Sequence, residues 1–275
     1  MIRFGCAHDL RRVWIRGGFA VLLAAGTLRA QQAPVVVPAK AATSPSIPVE
    51  EIIQKFAAKE AAFARARDNY TYRQTVRVLE VDDDGATRGR YEMISDIIFT
   101  PAGKRLERVV RAPVSTLRNI LMTPEDEQDL RNVQPWVCTT ETLPKYNVSY
   151  LGVEKVDELE TYVFSVKPKT LEAGQRYFEG QIWVDQRDLQ IVKTYGKGVG
   201  LRKKKEDNQF PRFETYRDQI DSKYWFPVYT RADDVLHFQT RDQRVRMTVK
   251  YEDYKQFKAE SGIQYEGVVE DKKKQ

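Results

Sequence analysis

The sequence is short of the residues that most often carry chemistry. Its 275 residues include two cysteines and two histidines, and one of each, Cys6 and His8, falls within the first ten positions. Beyond them only Cys138 and His237 remain. One cysteine excludes an internal disulfide, and one Cys with one His leaves no soft-metal cluster, no HExxH and no His-based triad. GxSxG, Walker A and GxGxxG motifs are missing too. Gly196-Lys197-Gly198-Val199-Gly200 is rich in glycine, but no Ser or Thr follows its lysine, and it reads as a loop. Asp233-Asp234 with His237 is the richest polar cluster and reads as a surface group. Asp82-Asp83-Asp84-Gly85 lacks the twelve-residue calcium loop and its terminal Glu, so it reads as a solvated turn. No cofactor is implied and no enzyme is expected.

A hydrophobic run long enough to span a bilayer is missing as well. Gly17 to Leu28, GGFAVLLAAGTL, is too short. Arg3, Arg11, Arg12 and Arg16 precede it, and Leu28-Arg29-Ala30 closes it. That is the pattern of a secretory signal over residues 1–30, cleaved before Gln31, and it places the mature chain in the periplasm. Arg11-Arg12 also fits a twin-arginine signal, so the export route stays open. No cysteine follows the run, so a soluble chain without a lipid anchor is expected. The signal carries five Arg and one Asp, so the net charge of +6 falls to about +2 without it. Nucleic-acid binding is therefore not read from the basic balance.

What is present is patterning. Residues 31–48, QQAPVVVPAKAATSPSIP, form a flexible linker. From Val49 to about Arg67, Ile52, Phe56 and Phe63 recur at helical spacing, with Pro48 at the first helical position. From Asn69 the period becomes two: Tyr70, Tyr72, Val76 and Val78 alternate with polar residues. Turn signals at 82–85 and 101–104 make a meander. Thr123-Pro124-Glu125-Asp126 opens a second helix ending near Asn132. The remainder is strand-like, with a tight turn at Gln186-Arg187-Asp188 and a frayed tail over 258–275. The run Arg202-Lys203-Lys204-Lys205 reads as a solvated loop. The fold class expected is mainly β, a curved antiparallel sheet forming an incomplete barrel with one or two covering helices.

Gly180-Gln181-Ile182-Trp183-Val184-Asp185 followed by Leu189-Gln190-Ile191-Val192-Lys193 resembles the strand-turn-strand signature of LolA-like outer-membrane lipoprotein-sorting proteins. Tyr162 to Lys169, YVFSVKPK, is similar to the strand that family places just before it. The resemblance covers residues 49–257 and implies a half-barrel carrier that binds acyl chains of lipoproteins or lipids without covalent chemistry. It also implies membrane transport proteins, inner or outer, as partners. A lipid-sensing or protein-binding regulatory module of the same fold is the alternative. A monomer is expected. The candidate cavity residues are Ile52, Phe56 and Phe63 on the helix. Tyr162, Phe164 and Val166, Ile182 and Val184, and Leu189 and Ile191 are the candidates on the strands.

Overall fold

The computed structural model describes residues 45–100, 104–201, 210–238 and 241–256. The expected signal, the linker up to residue 44, the run 202–205 and the tail 258–275 lie outside the described residues.

The first helix, α1, spans Val49–Arg67. Glu50 and Glu51 stand in its first turn and Arg65 and Arg67 in its last, each sign matched to the helix end. Pro48 precedes the helix rather than opening it: its ψ of 138° is extended. Ile52, Phe56, Ala57, Glu60 and Phe63 are buried.

Ten strands follow. The first three are β1 (Tyr70–Val81), β2 (Thr87–Phe99) and β3 (Arg105–Arg111). A connecting segment then carries the helix α2 (Pro124–Gln128), a π-helical turn (Asp129–Val133) and a 3-10 turn (Leu143–Lys145). The second helix opens at the expected cap, and after Gln128 it passes at once into the wider turn, which ends at Val133. After it come β4 (Tyr146–Val156), β5 (Leu159–Pro168), β6 (Tyr177–Asp185), β7 (Ile191–Val199), β8 (Phe213–Ile220), β9 (Tyr224–His237) and β10 (Asp242–Gln256).

All ten form one antiparallel sheet in the order β3-β2-β1-β10-β9-β8-β7-β6-β5-β4. The first strand docks on the last, in register from Arg73↔Glu252 to Val81↔Arg244. Consequently β3 and β4, neighbours in sequence, are the two free edges. The segment between them must return across the inner face.

One core shows that the sheet curls. It joins Ile97 of β2, near one edge, to Phe164 and Val166 of β5, near the other. Ile52 and Phe56 of α1 and Leu130, Val133 and Trp136 of the connecting segment fill the space between. The sheet is an incomplete antiparallel barrel whose concave side is closed by α1 and the connecting segment.

Two local expectations need correction. The stretch Gly196–Val199 is strand, not loop: Gly196 pairs with Gly180 of β6 and Phe213 of β8. A Cβ on Gly180 would lie 2.1 Å from the Tyr195 carbonyl oxygen, and one on Gly196 2.3 Å from that of Glu179. The glycines mark two backbones in close approach. Leu189 does not belong to a strand. Its φ of 55° places it in the left-handed region of the turn, and β7 begins at Ile191.

Candidate ligand-binding site

The connecting segment is held on the concave face by acids. Glu80 on β1 is fully buried, and its carboxylate accepts the backbone N–H groups of Arg118 at 2.9 Å, Asn119 at 2.5 Å and Ile120 at 2.7 Å. Its partner across the ladder is Gly89. A Cβ there would lie 2.6 Å from Glu80 Oε2, so glycine leaves room for the carboxylate. Asn119 Nδ2 donates to Gln243 Oε1 at 2.7 Å. Thr123 and Asp126 then form the capping box that starts α2.

The π-helical turn is pinned by a buried ion pair. Asp129 accepts from Arg176 Nε at 2.8 Å and Nη2 at 2.7 Å. The Arg176 guanidinium lies 3.8 Å from the centroid of the Phe210 ring. A Cβ on Gly198 would come within 2.1 Å of Asp129 Oδ2, so this glycine of β7 admits the pair. Burial pushes the Asp129 carboxyl up to about 6, against the lowering pull of Arg176. Burial also raises the Asp126 carboxyl.

Beneath this segment is an apolar cavity of about 270 Å³. Val78 of β1, Val245 and Met247 of β10, Leu236 of β9 and Phe213 of β8 wall it on the sheet side. Ile120, Met122 and Leu130 wall it on the other. Gln134, 4% exposed, reaches the same cavity: its Nε2 contacts Met247 Sδ at 3.3 Å and its Oε1 has no partner. The volume lies just below the roughly 300–1,000 Å³ of drug-sized ligand pockets.

None of the ten residues expected from sequence lines this cavity. Ile52, Phe56, Tyr162, Phe164, Val166, Ile182, Val184 and Ile191 pack together in the main core. The Phe56 and Phe164 rings stand 5.6 Å apart, and Tyr162↔Val184 and Phe164↔Ile182 face each other across β5 and β6. Leu189, half-buried, rests against that core. Phe63 joins a second cluster with Tyr70 and Phe226, meeting Phe226 edge-on at 5.0 Å. The cavity residues have a sequence signal of their own, the alternation of Leu236 with Phe238 and of Val245 with Met247. Alternation names an inner face without saying which part of it stays uncovered.

The other polar candidates are on the surface. Asp233 binds Arg244 at 2.8 Å and Arg246 at 3.0 Å. His237 Nδ1 lies 2.8 Å from Asp242 Oδ1, and both side chains are exposed. Cys138 is buried, and burial pushes its thiol well up from its ordinary range.

No family model matches the chain, and no curated protein does. Among solved structures, the chain is similar to a LolA superfamily protein. That protein, NE2245 from Nitrosomonas europaea, is 13% identical, with 78% of this chain and 95% of that one covered and a TM-score of 0.37. A DUF1329 family protein from Desulfovibrio piger is 13% identical over 78% of this chain and 96% of its own, with a TM-score of 0.39. A domain assigned to outer membrane lipoprotein sorting, from Vibrio parahaemolyticus, is 11% identical over 75% and 93%, with a TM-score of 0.35.

Proposed function

We propose that this protein is an exported periplasmic carrier that shields an acyl chain, of a lipoprotein or a lipid, in the cavity beneath the connecting segment. The observation that carries the proposal is the cavity itself, 270 Å³ walled by Val78, Phe213, Leu236, Val245 and Met247 at one end of a curled sheet. The energetic reason for a carrier is plain. Leaving a chain of about fourteen methylenes in water costs roughly 11 kcal/mol at about 0.8 kcal/mol per methylene. The apolar wall replaces that water for the part of the chain that it encloses. The role needs no covalent chemistry. The Ile52, Phe56 and Phe63 stripe acts in this reading as the packed roof of the half-barrel, holding the cavity walls in place.

The test pairs binding with stability. A fluorescent acyl probe is titrated into wild type and Val245→Phe, which fills the cavity, and the urea midpoint is measured for both. Wild type should bind the probe. Val245→Phe should lose binding at least about tenfold, with an unfolding free energy lowered by no more than the roughly 1–3 kcal/mol of overpacking. Native mass spectrometry of the protein taken from its own periplasm should show an acyl adduct. A wild type that binds no probe and carries no such mass defeats the carrier reading. Copurification with a membrane protein's periplasmic segment instead would favour the regulatory-module alternative.

A further inference from the structure

A second recess of about 310 Å³ lies at the opposite end of the same strands. From Val78 in the apolar cavity to Tyr72 in this recess is six residues of β1, roughly 20 Å at about 3.3 Å per residue. The π-helical turn separates the two: Leu130 lines one and Arg131 the other.

Four arginines from three elements line the recess. Arg65 and Arg67 come from the last turn of α1, Arg105 from the start of β3 and Arg131 from the π-helical turn. Among the described lining residues there is one carboxylate, Asp68. Glu107, just outside, accepts from Arg105 Nη1 at 3.0 Å and lies 3.4 Å from Arg131. Arg131 also reaches Glu127 at 3.0 Å. That satisfies one side of the recess; on the other, Asp68 is the one carboxylate among the described lining residues, and the Arg67 guanidinium lies 5.8 Å from the centroid of the Phe99 ring. Asn132, Tyr72 and Tyr251 add polar groups to the walls, while Pro135 and Pro227 have no backbone N–H and Tyr254 spends its hydroxyl on the Pro227 carbonyl at 2.6 Å.

The distribution of donors is the second observation. Arg67 Nε and Arg105 Nε are both shut from water without an acceptor. Leaving a charged donor unpaired inside a protein is costly. Favourable placement at a helix C-terminus accounts for Arg65 and Arg67 as a pair. It does not account for the arrival of Arg105 and Arg131 at the same recess, where they share the single acid Glu107.

We propose that this recess is an oxyanion site that takes a phosphate group, free or as a phosphate ester. Guanidinium groups match such oxygens in parallel, charge-assisted pairs. The proposal does not depend on the acyl reading.

Titration calorimetry of the full chain tests it, with inorganic phosphate in one arm and dihexanoyl phosphatidic acid below its micelle concentration in the other. Ionic strength is matched with chloride. Saturable one-to-one binding is expected. Arg67→Gln should weaken it by about tenfold or more, the value of one charge-assisted hydrogen bond. Asp68→Asn removes the competing acid and should tighten it several-fold, an effect that mere balancing of the helix end would not produce. Binding of inorganic phosphate identifies a free-anion site, and binding of the phosphatidic acid alone identifies a lipid headgroup site. Absence of saturable binding in both arms overturns the proposal. So does an affinity unchanged in both variants; if Arg67→Gln fails to fold, Asp68→Asn decides alone.

Discussion

Three buried acids organise the inside of this half-barrel, and each does so through a different partner. Glu80 uses three backbone amides, Glu60 uses Arg217, and Asp129 uses Arg176. None of these roles is legible in sequence, because the amides and arginines lie 38 to 157 residues from the acid they meet. Local signals behave differently: Thr123-Pro124 announces its cap, since both halves of the capping box are three residues apart. Asp129 carries a consequence for pH. Its carboxyl is raised by burial to about 6 from an ordinary 3.8, so the folded chain holds this proton more tightly than the unfolded chain. The stability it contributes is complete below about pH 4 and is lost as pH rises through about 6. Urea midpoints should therefore fall between pH 4 and pH 6 more steeply in wild type than in Asp129→Asn. Equal slopes for the two proteins would remove Asp129 as the cause.

At the scale of elements, α1 and most strands are legible because hydrophobic period reports them directly. The spacing predicts a helix over Val49 to about Arg67, and α1 spans Val49–Arg67. The run through Gly196 misleads for a physical reason: the demand for glycine comes from the backbone of β6, which periodicity cannot report. The stripe of α1 also holds a charge in plain view. Glu60 follows Phe56 by one helical turn, on the apolar face, and it is 1% exposed. Its Oε1 lies 2.8 Å from Nη1 of Arg217 on β8, whose Nη2 donates to the Trp136 carbonyl oxygen and whose guanidinium sits 5.4 Å from the Phe63 ring. Burial raises the Glu60 carboxyl, while Arg217 pulls it down. Helix, sheet and connecting segment thus meet at one ion pair. Removing one partner strands the other charge, so Glu60→Leu should cost about 3–5 kcal/mol. The double variant Glu60→Leu/Arg217→Met should recover most of that loss. A double variant as unstable as the single one would show that the pair itself, and not the stranded charge, carries the stability.

For the whole molecule, the antiparallel curl is legible but the order of the sheet is not. Alternation gives β1 and β10 a buried face each, yet nothing in either strand says that the first pairs with the last. That pairing moves the free edges to β3 and β4 and sends residues 112–145 back across the concavity, which sets where the cavity opens. The same closure decides what α1 is. A lid would rest on the sheet and leave a stable half-barrel when removed. Here Ile52, Phe56, Ala57 and Phe63 are each no more than 1% exposed and lie in two separate clusters with strands from both halves of the sheet. Fully burying each of the large side chains is worth about 1.5–3 kcal/mol, so the helix carries a share comparable to the whole net stability of a domain. A chain lacking residues 45–67 should therefore lose its cooperative urea transition and its near-ultraviolet circular dichroism together. A truncated chain that keeps both, with a midpoint near that of wild type, would make α1 a detachable lid.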